Sequence, residues 1–125
     1  MTVKRLKDRI ALITGASRAL GRAIALAYAC EGAHVLLLAR GVTNLGRVDD
    51  DIRARGGTAS LIPLDLTDGA AIDALGPSLY ERFGRLDIFV ANAAILGALS
   101  PLPHIPSNHW DRVFAVNVTA NWRLI

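Results

Sequence analysis

The sequence predicts an α/β doubly wound parallel sheet, and three observations carry that reading: apolar runs of strand length, helical stripes between them, and a glycine wherever a stripe ends. A run that is apolar at consecutive positions is what a parallel strand covered on both faces requires. The first such run is Arg9 to Ile13 and the second is His34 to Ala39. Between them Leu20, Ile24 and Ala27 fall at helical spacing, and Gly32 stands where a helix end needs positive φ. The unit then repeats. Leu45, Val48 and Ile52 form a stripe that stops at Gly56 and Gly57, and a strand follows from about Ala59 to Leu64. Ile72, Leu75, Leu79 and Phe83 make the next stripe, Gly84 ends it, and Leu86 to Ala91 supplies a fourth strand. Leu99 to Ser107 holds three prolines and reads as a loop. Ser107 or Asn108 is placed to cap a last helix carrying Trp110, Val113, Phe114, Asn117 and Leu124. No linker divides the chain, so residues 1–125 read as part of a single domain with no second one.

Composition narrows the class. A chain of 125 residues, 52% apolar and 20% charged, suits one compact domain or a piece of one, and excludes low complexity and general disorder. Its net charge of +3 and isoelectric point near 9.6 are compatible with a nucleic-acid binder. The only dense basic stretch, however, is Lys4, Arg5, Lys7 and Arg9, with no interleaved aromatics to stack on bases, so no nucleic-acid partner is expected. Cys30 is the single cysteine, which excludes an internal disulfide and a cysteine-cluster metal site. No metal is expected elsewhere, because His34, His104 and His109 lack ligand pairing. The apolar stretches Ile10 to Ile13 and Ala23 to Ala29 are broken by Gly15, Arg18 and Arg22, so neither a signal peptide nor a membrane span is built and a cytoplasmic protein is expected.

The chemistry begins at the turn after the first strand, Thr14-Gly15-Ala16-Ser17-Arg18-Ala19-Leu20-Gly21. It joins a strand's carboxyl end to a helix N-terminus, where unpaired amides hold a pyrophosphate. Gly15 allows the tight turn, the amides around Ser17, Arg18 and Leu20 face the phosphates, and Gly21 lets the helix pack closely on the sheet. A dinucleotide is the expected ligand. A nucleoside-triphosphatase is not, since Arg22 follows Gly21 where the triphosphate loop needs Lys and then Ser or Thr.

Together with Asp65-Leu66, Ala91-Asn92-Ala93-Ala94 and Val116-Asn117-Val118, that turn resembles the ordered landmarks of the short-chain dehydrogenase/reductase family, over nearly the whole chain. The resemblance implies a Rossmann-type sheet and hydride transfer between C4 of a nicotinamide and a carbonyl or alcohol carbon. It also implies that Asp65 bonds the adenine amino group and Leu66 touches the adenine. Asn92 with Ala93 would brace the sheet and the nicotinamide-side ribose, and Asn117 would support the catalytic proton relay. Two departures stand out. Ala19 occupies the family's middle glycine position, where left-handed geometry would cost an alanine about 1 to 2 kcal/mol, and Ala91 and Ala94 replace an Asn and a Gly.

The end of the second strand selects the cofactor. An NAD site places a carboxylate there for the ribose hydroxyls, and an NADP site places cations for the 2′-phosphate. Here the strand ends Leu38-Ala39-Arg40. Ala39 offers no acceptor, while Arg40, with Arg18 from the turn, can form charge-assisted bonds to a phosphate. NADP is therefore expected ahead of NAD.

By the same resemblance a catalytic Ser and a Tyr-x-x-x-Lys pair should follow the fourth strand. They are not found: Tyr28 and Tyr80 are followed four residues later by Gly32 and Gly84, and no lysine lies beyond Lys7. The expectation is an amino-terminal part of such an enzyme, truncated after four strands and the next helix, inactive alone, its fourth strand an open edge. The complete enzyme would act on a small ketone, aldehyde or alcohol and is open to homo-oligomer formation. The alternative is a non-catalytic nucleotide-binding or subunit-association module. A methyltransferase is disfavoured because it would want an acidic residue where Ala39-Arg40 stand.

Overall fold

A computed structural model describes residues 3–125. The elements run β1 (Ile10–Thr14), α1 (Ala19–Cys30), β2 (His34–Ala39), α2 (Val42–Ala54), β3 (Thr58–Pro63), α3 (Gly69–Phe83) and β4 (Ile88–Val90). After a single 3₁₀ turn at Leu102–His104 come α4 (Ser107–Phe114), a π-helical turn (Ala115–Thr119) and α5 (Ala120–Leu124). The four strands form one parallel sheet in the order β3-β2-β1-β4, with Ile10 beside His34 and Ala11 beside Ile88. The order reverses direction between β1 and β4, so all four carboxyl ends open on one crevice.

Each face of the sheet has its own core, because successive strand residues point to opposite faces. On one face Ala11, Ile13, Val35 and Leu37 meet Ala25 and Ala29 of α1 and Leu45, Val48 and Ile52 of α2. On the other, Leu12, Leu36 and Leu38 meet Ile72 and Leu79 of α3, with Val116 and Ala120. Leu36, Leu37 and Leu38 are completely buried, as the unbroken apolar run of β2 requires.

Several expectations are corrected. The buried stripe of α1 is Gly21, Ala25, Leu26 and Ala29, not Leu20, Ile24 and Ala27; Leu20 is 65% exposed. Small residues one turn apart bring the helix backbone close to the sheet, with Ile24 half-buried at the edge of that contact and Leu20 outside it. The N-cap of α4 is Pro106, without a side-chain cap, and Ser107 is the first helical residue. The Pro106 carbonyl takes the amides of His109 and Trp110, so a hydroxyl cap has no role there. The fourth strand is shorter than expected, and side-chain bonds flank its ladder, although the Asp87 amide still donates to the Ile10 carbonyl. The Asp87 carboxylate accepts from the Ile10 amide at 2.8 Å, and the Asn92 amide donates to Thr14 Oγ1 at 3.0 Å. The glycine stops hold: Gly32, Gly56 and Gly84 have φ of +94°, +82° and +76°.

Candidate cofactor site

A cavity of about 770 Å³ opens at the carboxyl ends of the strands. It is lined by Gly15, Ser17, Arg18 and Leu20 from the first turn, by Arg40 after β2, by Asp65 and Leu66 after β3, and by Asn92 and Ala93 after β4. Nine of the residues singled out in the sequence thus meet in one place, although they span almost eighty positions.

The turn is held open from beneath. Asn92 Nδ2 donates to the carbonyls of Thr14 at 3.1 Å and Gly15 at 3.3 Å. The Asn92 and Ala93 amides both donate to Thr14 Oγ1, which in turn reaches the Val90 carbonyl. Thr14 is the one completely buried polar residue among the described residues, and it ties β1 to β4 directly below the turn. Gly15 has φ +63°, and a Cβ there would sit 2.9 Å from Asn92 Nδ2. Gly21 lies outside the cavity, under the turn, where a Cβ would fall 2.0 Å from the Gly15 carbonyl oxygen. Its role is close packing. Ala19 holds φ +50°, so the non-glycine residue does occupy the left-handed region, at a cost of about 1 to 2 kcal/mol.

The Ser17 and Arg18 amides make no backbone hydrogen bond among the described residues, and the first amides of α1 are unpaired by helix geometry. With the positive end of the helix dipole they form a surface that favours anions. The charged side chains on the cavity wall are Arg18, Arg40, Arg112 and Asp65. None of the three guanidinium groups enters an ion pair among the described residues. Asp65 Oδ1 accepts from the Thr67 amide at 2.9 Å and its hydroxyl at 2.8 Å. Those bonds hold its carboxyl below the usual carboxylate range against partial burial, and the charges of Arg40 and Arg112 act in the same direction. The cap of α3 is Asp68, which accepts from the Ala71 amide, so Asp65 is left as an ionised acceptor facing the cavity.

Asn117 does not line the cavity. It sits in the π-helical turn and clamps Ile95, its Oδ1 accepting from the Ile95 amide at 2.8 Å and its Nδ2 donating to the Ile95 carbonyl at 2.9 Å. Ile95 itself is on the cavity wall, so Asn117 fixes the segment that follows β4. Sequence reasoning missed three participants. Thr14 was visible only as the first residue of the turn, and its hydroxyl anchors the segment after β4; Asn44 also lines the wall, and Arg112 comes from α4, far from every landmark.

The family model described as short chain dehydrogenase matches residues 9–125. Galactitol 2-dehydrogenase of Agrobacterium fabrum is 40% identical over 114 residues, 91% of this chain and 43% of that protein. A metagenomic short-chain oxidoreductase solved in complex with NADP superposes with a TM-score of 0.92 at 38% identity, over 95% of this chain and 54% of that one. An NAD⁺-bound xylitol dehydrogenase superposes at 0.88 with 30% identity, over 96% and 46%. The chain therefore spans less than half the length of the curated relative, and its structural neighbours include holders of either nicotinamide cofactor.

Proposed function

The chain belongs to the short-chain dehydrogenase/reductase family, and from that premise we propose that it forms the cofactor-binding part of an NADP-dependent oxidoreductase. The protein to which it contributes moves a hydride between C4 of the nicotinamide and the carbon of a small carbonyl or alcohol substrate. One observation carries the cofactor assignment. Arg40 and Arg18 stand uncommitted at the mouth of a cavity whose floor offers free helix amides, and β2 ends in Ala39, with no carboxylate to repel a 2′-phosphate.

In this reading the amides of residues 17–20 hold the pyrophosphate, Gly15 and Gly21 let the backbone approach it, and Arg18 and Arg40 hold the 2′-phosphate. Asp65 accepts the adenine amino group and Leu66 packs on the base. Asn92 and Ala93, locked to Thr14, support the nicotinamide-side ribose. Asn117 acts as the residue that positions the segment after β4 through Ile95 and supports the catalytic proton relay of the complete enzyme. The bound cofactor supplies the hydride or accepts it, and these residues orient its two ends along the crevice.

No helix among the described residues is long and apolar enough to cross a membrane, and a cytoplasmic setting goes with the reading. Trp110, Phe114, Val118 and Trp122, exposed at four-residue steps along the last helix, are the surface offered to a second copy.

The test is calorimetric titration of the chain with NADP and NAD. Arg40→Glu is expected to weaken NADP binding at least tenfold while leaving NAD within about twofold, since only the phosphate loses a cation. Equal losses for the two cofactors would remove the phosphate assignment.

A further inference from the structure

Resting on that reading of the cavity, we propose that Arg112 is a nucleobase-binding residue, whose guanidinium donates to a ring nitrogen of the adenine whose amino group Asp65 receives. The two arginines assigned to phosphate come from the N-cap of α1 and from the residue after β2. Arg112 comes instead from α4. It lies one helical turn before Val116, and both line the cavity, so that face of the helix forms a wall with Asp65 and Leu66.

The chemistry of the base matches this wall. Adenine presents an amino donor next to a ring-nitrogen acceptor on one edge, and its complement is an acceptor beside a donor. An ionised Asp65 supplies the first and a guanidinium the second. Guanine carries a carbonyl oxygen in place of the amino group and would set it against the carboxylate. Leu66 and Val116 are buried and border the same space, supplying apolar surface for the ring. Arg112 makes no ion pair among the described residues, so its donors remain free. A planar guanidinium fork presents several donors in fixed directions to a flat base edge, which the point charge of a lysine does not.

The same titrations decide it, with Arg112→Met and Arg112→Lys. Arg112 is exposed, so both variants should fold, and thermal melts check that they do. Arg112→Met is expected to weaken NADP and NAD alike by about tenfold, the loss of one charge-assisted hydrogen bond. Arg112→Lys should fall between it and the parent. A loss confined to NADP would make Arg112 a phosphate ligand, and unchanged binding of both would make it a surface charge; either overturns the proposal. If the parent chain binds neither dinucleotide, the underlying cofactor reading fails too. Binding by the parent with no effect of Arg112→Met sinks this inference alone.

Discussion

The two ends of the sheet are made by the same strands and treat their polar groups in opposite ways. At the amino end most of the charged side chains find a partner within the chain. Arg5 meets Glu31 at 3.1 Å, Arg9 and Arg85 both reach Asp87, at 3.7 and 2.9 Å, and Lys4 Nζ donates to the Cys30 carbonyl. His34 has Thr58 Oγ1 at 2.8 Å and Ser60 Oγ at 2.9 Å on its two ring nitrogens. At the carboxyl end Arg18, Arg40 and Arg112 pair with nothing described, and the Ser17 and Arg18 amides are unmatched. Pairing serves the chain itself, whereas donors converging on a cavity and left open serve something that arrives from outside.

The largest expected effect separates two glycines, one at each end. Gly21→Ala would push a methyl against the Gly15 carbonyl, with Asn92 Nδ2 at 2.6 Å leaving no retreat, and should cost about 3 kcal/mol in urea unfolding. Gly32→Ala at the amino end meets its nearest atoms at 3.1 Å and mainly forces alanine to φ +94°, for roughly 1 to 2 kcal/mol. Dinucleotide binding should vanish in the first variant and survive in the second. Equal behaviour of the two would erase the distinction between the ends.

The paired and open ends were not equally legible in the sequence. The strands and the stripes of α2 and α3 were, because Leu36 to Leu38 and Leu45, Val48 and Ile52 carry their burial in their own spacing. So was the position of the glycine turn, since one local pattern serves strand end, turn and helix start. The sheet-facing side of α1 was not, because a contact made through Gly21, Ala25 and Ala29 has almost no hydrophobic signature. Thr14, Arg112 and the Asn117 clamp on Ile95 depend on segments brought together only by the β1–β4 pairing and the return of the last helix. No window of sequence contains both partners.

A smaller effect, of opposite sign, is expected inside the open end. Ala19 is at φ +50° on the cavity wall, so Ala19→Gly removes left-handed strain and a methyl group from the phosphate path. Stability should rise by about 1 kcal/mol, offset in part by the greater freedom of glycine in the unfolded chain. NADP should bind more tightly, by less than about tenfold. A variant that is stabilised but binds no better would place the cost of Ala19 in the fold alone.

The smallest effect tests the paired end by pH. Burial pushes the His34 imidazole below its ordinary 6.5, with the charges of Arg82 and Arg53 adding to it and Asp49 opposing. Between the unfolded and the lowered folded value the unfolded chain therefore binds more protons, so stability falls as pH drops from 6.5 through that window. Glu31 and Asp87 are held below the carboxylate range by hydrogen bonds from Arg5 and Arg85; their contribution is present above that range and is lost further down, as pH falls through their folded values. His34→Gln keeps partners for Thr58 and Ser60 and should abolish the upper step while leaving the lower one. Denaturant midpoints measured from pH 7.5 to 3 will show whether the slope below 6.5 disappears. A slope that persists unchanged in the variant would mean that His34, though hydrogen-bonded on both ring nitrogens, does not couple its protonation to the fold.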